Sequence, residues 1–347
     1  MNIFEFIVNN IPLTIALSLV CGVIFVNGWT DAPNAITASV STGALKMRSA
    51  VIIAAIFNFL GALIMGVINT SVLESVGNIT MMIGSGEHAL TVLCGALLSI
   101  IVWAILAWRF GIPTSESHAL ISGILGAALA CNIEATDSGL QALKLAILGL
   151  LLSLPTGSAL GWLLGKTINN MALNLSLSKR EHIFRMGQKM SAAAMSFMHG
   201  AQDSQKFAGV FIAAICMSGL TNGTEEFLFE APLWLVLACA TIIALGTSVG
   251  GYKIIKKIGF DTVELTPSRG LAADIAAVIC MLAASFWGIP VSTTHTATSA
   301  VIGAGLSGQP RKLNLKSIKE MLAAWILTFP GCGIISFSIV KIFFLFF

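Results

Sequence analysis

The sequence predicts an all-α polytopic membrane protein, built as two inverted-topology repeats with broken helices and re-entrant Ser/Thr turns. Three observations carry that reading. Charged residues make up 10% of the 347 and hydrophobic residues 56%, where a soluble domain carries about 25% charge; too few charges remain to cover a soluble exterior. The hydrophobic residues fall in continuous runs between brief polar turns. Such runs exclude the alternation of a β-barrel and leave room for roughly eight to ten passages of about 20 residues each. Finally, two polar motifs embedded in apolar sequence occur twice, in the same order.

In chain order the apolar runs cover 11–26, 50–68, 89–108, 119–131, 140–165, 190–218, 232–250, 271–287, 295–306 and 320–347. The first ends in Asn27-Gly28-Trp29-Thr30-Asp31-Ala32-Pro33-Asn34, after which the apolar sequence resumes. The runs 119–131 and 295–306 both follow Gly-Ile-Pro and are too short to cross a bilayer alone. These are the broken and re-entrant helices, which hydrocarbon tolerates only where they are buried in protein or line a cavity. The seven cysteines stand singly with no CxxC, as expected of reduced, buried thiols rather than a metal site or disulfide framework. The first ten residues carry no Lys or Arg, so no secretory signal is expected there.

Residues 111–130 read GIPTSESHALISGILGAALA and residues 288–307 read GIPVSTTHTATSAVIGAGLS. Nine of the twenty positions are identical at an offset of 177. Upstream, the Asp31 motif aligns with His199-Gly200-Ala201-Gln202-Asp203-Ser204-Gln205-Lys206 at an offset of 172. The expected units are therefore a first repeat over 1–165, a basic cytoplasmic loop over 166–189 and a second repeat over 190–347.

Charge distribution orients the halves. Lys46 and Arg48; Lys166, Lys179, Arg180, Arg185 and Lys189; Lys253, Lys256 and Lys257; and Arg311, Lys312, Lys316 and Lys319 form four basic clusters, which the positive-inside rule assigns to the cytoplasm. Segments 70–87 and 219–230 carry Glu74 and Glu87, and Glu225, Glu226 and Glu230, with no Lys or Arg, and are expected outside. The first Asp motif thus leads to a basic loop and the second to an acidic one, so the halves run in opposite directions. Asp203 is expected near the middle of the passage 190–218, Asp31 at the matching depth, and the N-terminus outside.

A carboxylate at membrane depth costs about 2.5–3.5 kcal/mol or more. Two at equivalent repeat positions point to function, and Asp31, Asn34 and Asp203 are the expected cation ligands: hard oxygen donors beside unwound carbonyls. The turns Pro113-Thr114-Ser115-Glu116-Ser117-His118 and Pro290-Val291-Ser292-Thr293-Thr294-His295 each open a short helix. Helix starts offer free N–H groups to an anion and hydroxyls add donors. Ser115, Glu116, Ser117, Ser292, Thr293 and Thr294 are accordingly expected to form an oxyanion site, with His118, His295, Gln202 and Lys206 beside it. For the histidines a structural role weighs equally. Asn58 reads as interhelical glue. Asp274, five residues past Arg269, is expected near the cytoplasmic surface and outside the site. No HExxH or Walker motif supports an enzyme.

At these residues the sequence resembles the inorganic phosphate transporter (Pit) family. Gly28-Trp29-Thr30-Asp31-Ala32-Pro33-Asn34-Ala35 stands for the family's duplicated Asp motif, Gly200 to Lys206 for its second copy, and 290–295 for its P-x-S-T-T-H motif. The resemblance implies a plasma-membrane carrier that imports inorganic phosphate with a coupling cation, H+ or Na+. The Asp motifs would hold the cation and the Ser/Thr turns phosphate. Lys206 stands where sodium-coupled members have Asn, as in the bacterial low-affinity branch, and favours proton coupling. Glu116 adds an acid to the first turn, where it would accept a hydrogen bond from the protonated oxygen that phosphate carries and sulfate lacks. Lys206 would pair with Glu116 or Asp203. No other cofactor and no nucleic-acid partner is expected; the bilayer is a partner, and a homo-oligomer stays open. A sulfate or other oxyanion carrier is the alternative on the same scaffold, with an ion channel or membrane enzyme further removed.

Overall fold

The computed structural model describes residues 3–133, 136–173, 175–219, 231–308 and 313–346. Its elements are α1 (Ile3–Asn9), α2 (Ile11–Thr30), a 3-10 turn (Ala32–Ile36), α3 (Thr37–Ser41), α4 (Met47–Ile68), α5 (Ser71–Met81), α6 (Glu87–Phe110), α7 (Glu116–Ala130), α8 (Asp137–Ala172) and α9 (Leu177–Met217). There follow α10 (Leu233–Val249), α11 (Tyr252–Ile255) running into a π turn (Lys256–Phe260), α12 (Pro267–Phe286), α13 (Thr293–Leu306) and α14 (Leu315–Phe346). Each of the ten apolar runs falls on one helix: α2, α4, α6, α7, α8, α9, α10, α12, α13 and α14. The one β-type contact among the described residues is an isolated bridge, Val263 to Leu313. All seven cysteines are free.

By length and composition six of the described helices can cross a membrane, or seven if Leu233–Val249 and Tyr252–Phe260, bent by 68°, form one span. That is fewer than the eight to ten expected. The difference lies in α7 and α13, which are short, and in α9, whose polar residues lower its hydropathy although every residue from Met198 to Met217 is buried. Two other segments differ from expectation. The stretch 70–87 is not simply an external loop: it contains α5, which buries Val72, Leu73, Val76 and Ile79. The stretch 166–189 is mostly helix, the end of α8 and the start of α9, because its bases sit among good helix formers with no internal Pro or Gly until Gly187. The acidic residues Glu225, Glu226 and Glu230 and the bases Arg311 and Lys312 lie outside the described residues.

Local sequence explains where helices break. Gly111 ends α6 at φ 67° and Gly288 follows α12 at φ 64°, the left-handed conformation that glycine adopts without penalty. The next two residues, Ile-Pro, cannot continue the helix. Ser115 and Ser292 then restart it, each accepting a hydrogen bond from the backbone N–H three residues on, His118 at 3.2 Å and His295 at 3.1 Å. At the first Asp motif Pro33 opens the 3-10 turn; the second copy has no proline and α9 runs through unbroken.

The duplication is visible in the packing. A Cβ at Gly126 on α7 would meet Gly333 O of α14 at 2.2 Å, and one at Gly303 on α13 would meet Ser158 O of α8 at 2.0 Å. Gly126 and Gly303 are repeat equivalents at the offset of 177. Each half's short helix therefore packs on the long last helix of the other half. The long helices carry matching internal prolines, Pro155 and Pro330.

Candidate functional site

The site lies where the first Asp motif, α9 and the starts of α7 and α13 meet. Asp31, 3% exposed, follows directly on α2. Its Oδ1 accepts from Thr294 Oγ1 and Asn34 Nδ2, and its Oδ2 accepts from Thr293 Oγ1 at 3.2 Å. Asn34 Nδ2 also donates to Thr294 Oγ1 at 2.9 Å. Asp203, 2% exposed, comes from α9. Its Oδ2 lies 3.2 Å from Thr293 Oγ1 and accepts from Asn27 Nδ2 at 3.0 Å. Thr293 thus stands between the two carboxylates, within reach of both, though its single proton serves one at a time.

Lys206 is 1% exposed, one helical turn past Asp203 on the same helix. Its ammonium donates to Asp203 Oδ1 at 2.7 Å, to Ser117 Oγ at 2.8 Å and to Val291 O at 2.6 Å. All three of its donors are used, and they tie α9 to both Ser/Thr turns. The expected choice between a Glu116 and an Asp203 partner is resolved for Asp203. Glu116 turns the other way: its Oε1 accepts from Thr30 Oγ1, and its buried Oε2 has no hydrogen-bond partner.

The two turns meet. Ser117 Oγ donates to Val291 O at 3.2 Å, and the His118 and His295 rings lie 4.4 Å apart, centroid to centroid. Behind them His118 packs on Phe329 and His295 on Trp325, so both rings sit between the helix starts and α14. Because Ser115 and Ser292 cap only the third amide, the N–H groups of Glu116 and Ser117 and of Thr293 and Thr294 keep no intrahelical acceptor. The hydroxyls of Ser117, Thr293 and Thr294 and the Lys206 ammonium already donate to the Val291 carbonyl, to Ser117 and to the two carboxylates, which leaves those amides as the donors an oxyanion would use. Ser115 and Ser292 belong to its scaffold through their caps. Gln202 is engaged elsewhere: its Nε2 donates to Ser285 Oγ at 2.8 Å on α12.

Three contributors escaped the sequence reading. Asn27 and Thr30 precede the first acid, and His199 precedes the second by one turn. His199 Nδ1 is 2.8 Å from Asn58 Oδ1. Asn58 Nδ2 donates to Thr247 Oγ1 at 3.2 Å, and that hydroxyl donates to Ile243 O at 2.8 Å. Asn58 must therefore present its oxygen to His199, and Nδ1 carries the ring proton. The other nitrogen, Nε2, lies 3.2 Å from Asp203 Oδ2 without the alignment of a hydrogen bond. Asp31, His199 and Asp203 offer ligand atoms within 4.8 Å of one another, an arrangement that suits a cation or a shared proton. The signal available in the sequence was the spacing of four that places Asn27 above Asp31 and His199 above Asp203 on one helix face. Asn58 is the interhelical link expected of it, joining α4, α9 and α10. Asp274 lies outside the site as expected but is buried, not at the surface. A G-x-S-x-G string at Gly246–Gly250 lies at the end of helix α10, with Ser248 exposed. It lacks the strand-to-helix elbow that the hydrolase motif needs.

Buried carboxylates, a buried ammonium and interrupted helices inside a multi-pass helical bundle define a membrane transporter rather than an enzyme. The chain belongs to the phosphate transporter family, whose profile matches it twice, over residues 27–179 and 174–336. It is 37% identical over 307 residues to a probable low-affinity inorganic phosphate transporter of Bacillus subtilis, covering 88% of this chain and 89% of that one. A protein of the same description from Rhizobium meliloti is 36% identical over 330 residues, covering 93% and 96%. Among solved structures, one described as the sodium-dependent phosphate transporter superposes with a TM-score of 0.79 over 97% of this chain and all of that chain, at 21% identity; that likeness is one of fold.

Proposed function

We propose that the protein imports inorganic phosphate across the plasma membrane by alternating access, coupled to protons and independent of sodium. The observation that carries the reading is Lys206. Its ammonium lies on Asp203 and on both Ser/Thr turns at once, a fixed positive charge beside the acid where a mobile cation would otherwise be needed. Phosphate would bind the free amides of the two helix starts, and Ser117, Thr293, Thr294 and Lys206 would become further donors by turning from the acceptors they hold here. Glu116 Oε2, buried and without a donor, would accept from the protonated phosphate oxygen. Asp31, Asn34 and His199 would hold the coupling proton or cation.

An inverted arrangement of the halves would supply the transport mechanism. Two short helices that start at the same place, each seated on the other half's long helix, can rock together and expose the site to one side at a time. The test is phosphate uptake into proteoliposomes with choline replacing sodium and an inward proton gradient imposed. Uptake should persist and follow the gradient. Lys206→Asn should impair it, with added sodium restoring part of the rate. Strict dependence of the unmodified protein on sodium, with no response to the proton gradient, overturns the coupling assignment.

A further inference from the structure

Asp274 takes no part in the site just described. It lies on α12, is 5% exposed, and its Oδ2 accepts from Ser191 Oγ of α9 at 2.7 Å. Ser191 is twelve residues before Asp203, so this pair sits about 18 Å along α9 from the substrate site, toward the basic end. Met195 and Met198 on α9 and Met281 and Ala277 on α12 belong to one buried cluster, an apolar layer on the helix stretches between Asp274 and the site.

On the other flank Asp274 adjoins a polar seam. Ser191 Oγ is also 3.2 Å from Gln188 O; Gln188 Oε1 accepts from Thr42 Oγ1 at 2.6 Å, and its Nε2 donates to Ala38 O at 3.3 Å. Gly270, one turn before Asp274, keeps room for that amide: a Cβ there would meet Gln188 Nε2 at 1.9 Å. Thr42 then lines an open cleft of about 470 Å³, together with Arg180, Arg185, Thr266 and Ser268. A surface cleft thus leads through Thr42, Gln188 and Ser191 to a carboxylate in the membrane-spanning bundle.

No ion pair reaches Asp274 among the described residues. The elements packed on α12 are α3, α5, α8, α9 and α13. Of these, α9 presents Ser191 and Gln188, and the α3 end presents Thr42; none brings a charged side chain into an ion pair with the acid. On its own helix Arg269 is five residues away, which places it about 140° around the axis. A buried carboxylate without a cationic partner holds its charge only at high cost. One carboxylate and one hydroxyl are too few oxygens for a dehydrated metal ion, which takes about six. A proton is the occupant they fit.

We propose that Asp274 is a proton-binding gate residue, separate from the substrate site, that exchanges its proton with water in the basic-side cleft and releases α9 from α12 when it ionises. With the proton on, the carboxyl is neutral and the Ser191 contact and the apolar layer hold that side shut. With the proton passed to cleft water, the buried charge draws solvent along the seam and the helices part. Transport is thereby tied to pH on the side that the positive-inside distribution assigns to the cytoplasm. The proposal rests on the transport reading above and adds a second titrating site to it.

The test is phosphate counterflow in proteoliposomes, with external pH fixed and lumenal pH stepped from mildly acid to mildly alkaline. Asp274→Asn, Asp274→Glu and Ser191→Ala are compared with the unmodified protein. A single acid changes its charged-to-neutral ratio about tenfold per pH unit. The unmodified rate should therefore follow lumenal pH, Asp274→Asn should flatten that dependence, Asp274→Glu should keep it and Ser191→Ala should shift its midpoint. If the unmodified protein shows no counterflow, the transport reading fails. If counterflow occurs and Asp274→Asn retains the unmodified pH dependence, only the Asp274 proposal falls. It falls equally if both Asp274 variants are inert while Ser191→Ala leaves the profile unmoved, because Asp274 is then a packing residue.

Discussion

Lys206 shows how a single side chain sets the chemistry of this site. An ammonium removed from water is expensive unless every proton finds an acceptor and a carboxylate offsets the charge. Here the three acceptors are Asp203, Ser117 and the Val291 carbonyl. Removing the offsetting charge while keeping the shape should therefore be costly. Asp203→Asn is expected to lower stability by about 3–5 kcal/mol, measured as a drop in thermal unfolding temperature in detergent, and Lys206→Met should also destabilise, because it leaves the buried Asp203 carboxylate without its cation. Glu116 makes a different kind of prediction, about selectivity. Losing a hydrogen bond between a charged acceptor and substrate costs about 1.5–3 kcal/mol, one to two powers of ten in affinity. Glu116→Gln should narrow the preference for phosphate over sulfate by that factor in competition assays, with arsenate still competing. An unchanged preference would remove Glu116 from substrate discrimination.

At the scale of helices, the repeat equivalents Gly126 and Gly303 make parallel predictions. Each allows a short helix to touch the backbone of a long one, and a side chain at either position must push the helices apart. Gly126→Val and Gly303→Val should each destabilise the protein by at least about 1–3 kcal/mol, read by thermal unfolding, and by similar amounts because the contacts are equivalent. The caps act through the helix starts. Ser115→Ala and Ser292→Ala should each cost about 0.5–2 kcal/mol. Because capping fixes where the free amides of Glu116, Ser117, Thr293 and Thr294 lie, phosphate affinity should fall with stability. Unchanged affinity in a destabilised Ser292→Ala protein would mean that those amides do not bind the anion.

For the whole molecule the prediction concerns orientation in the membrane. With native cysteines removed, a single cysteine at the exposed Ser85 and one at Thr224, outside the described residues, should both react with an impermeant thiol reagent from outside the cell. One at the exposed Ser178 should react only after permeabilisation. If Ser85 and Thr224 face opposite sides, the halves are not inverted, and the rocking mechanism loses its basis.

Much of this molecule was legible in the sequence because the bilayer and the peptide bond impose local rules. Runs of apolar residues had to become helices, since backbone polar groups have no other partner in hydrocarbon. Gly-Ile-Pro had to end one helix, and the Ser that follows could start another. The equivalence of the two halves could be read from two motifs at nearly one offset, and the Asp31, Asp203 and Lys206 positions from the cost of burying charge. Tertiary structure decided the partners that spacing along one helix left open. Lys206 meets Asp203 within its own helix, a contact that the spacing of three allows, but only the approach of α9 to the two turns adds Ser117 and the Val291 carbonyl and leaves Glu116 to Thr30. The same holds for His199, whose ring proton is fixed by a relay through Asn58 and Thr247 on two other helices, and for Gln202, which α12 draws away to Ser285. Asp274 looked like a surface acid because an arginine stands five residues before it. The helix turns that arginine to another face, and α9 buries the carboxylate against Ser191. Burial, partner choice and protonation depend on what comes near from distant parts of the chain, and spacing along one segment does not contain that information.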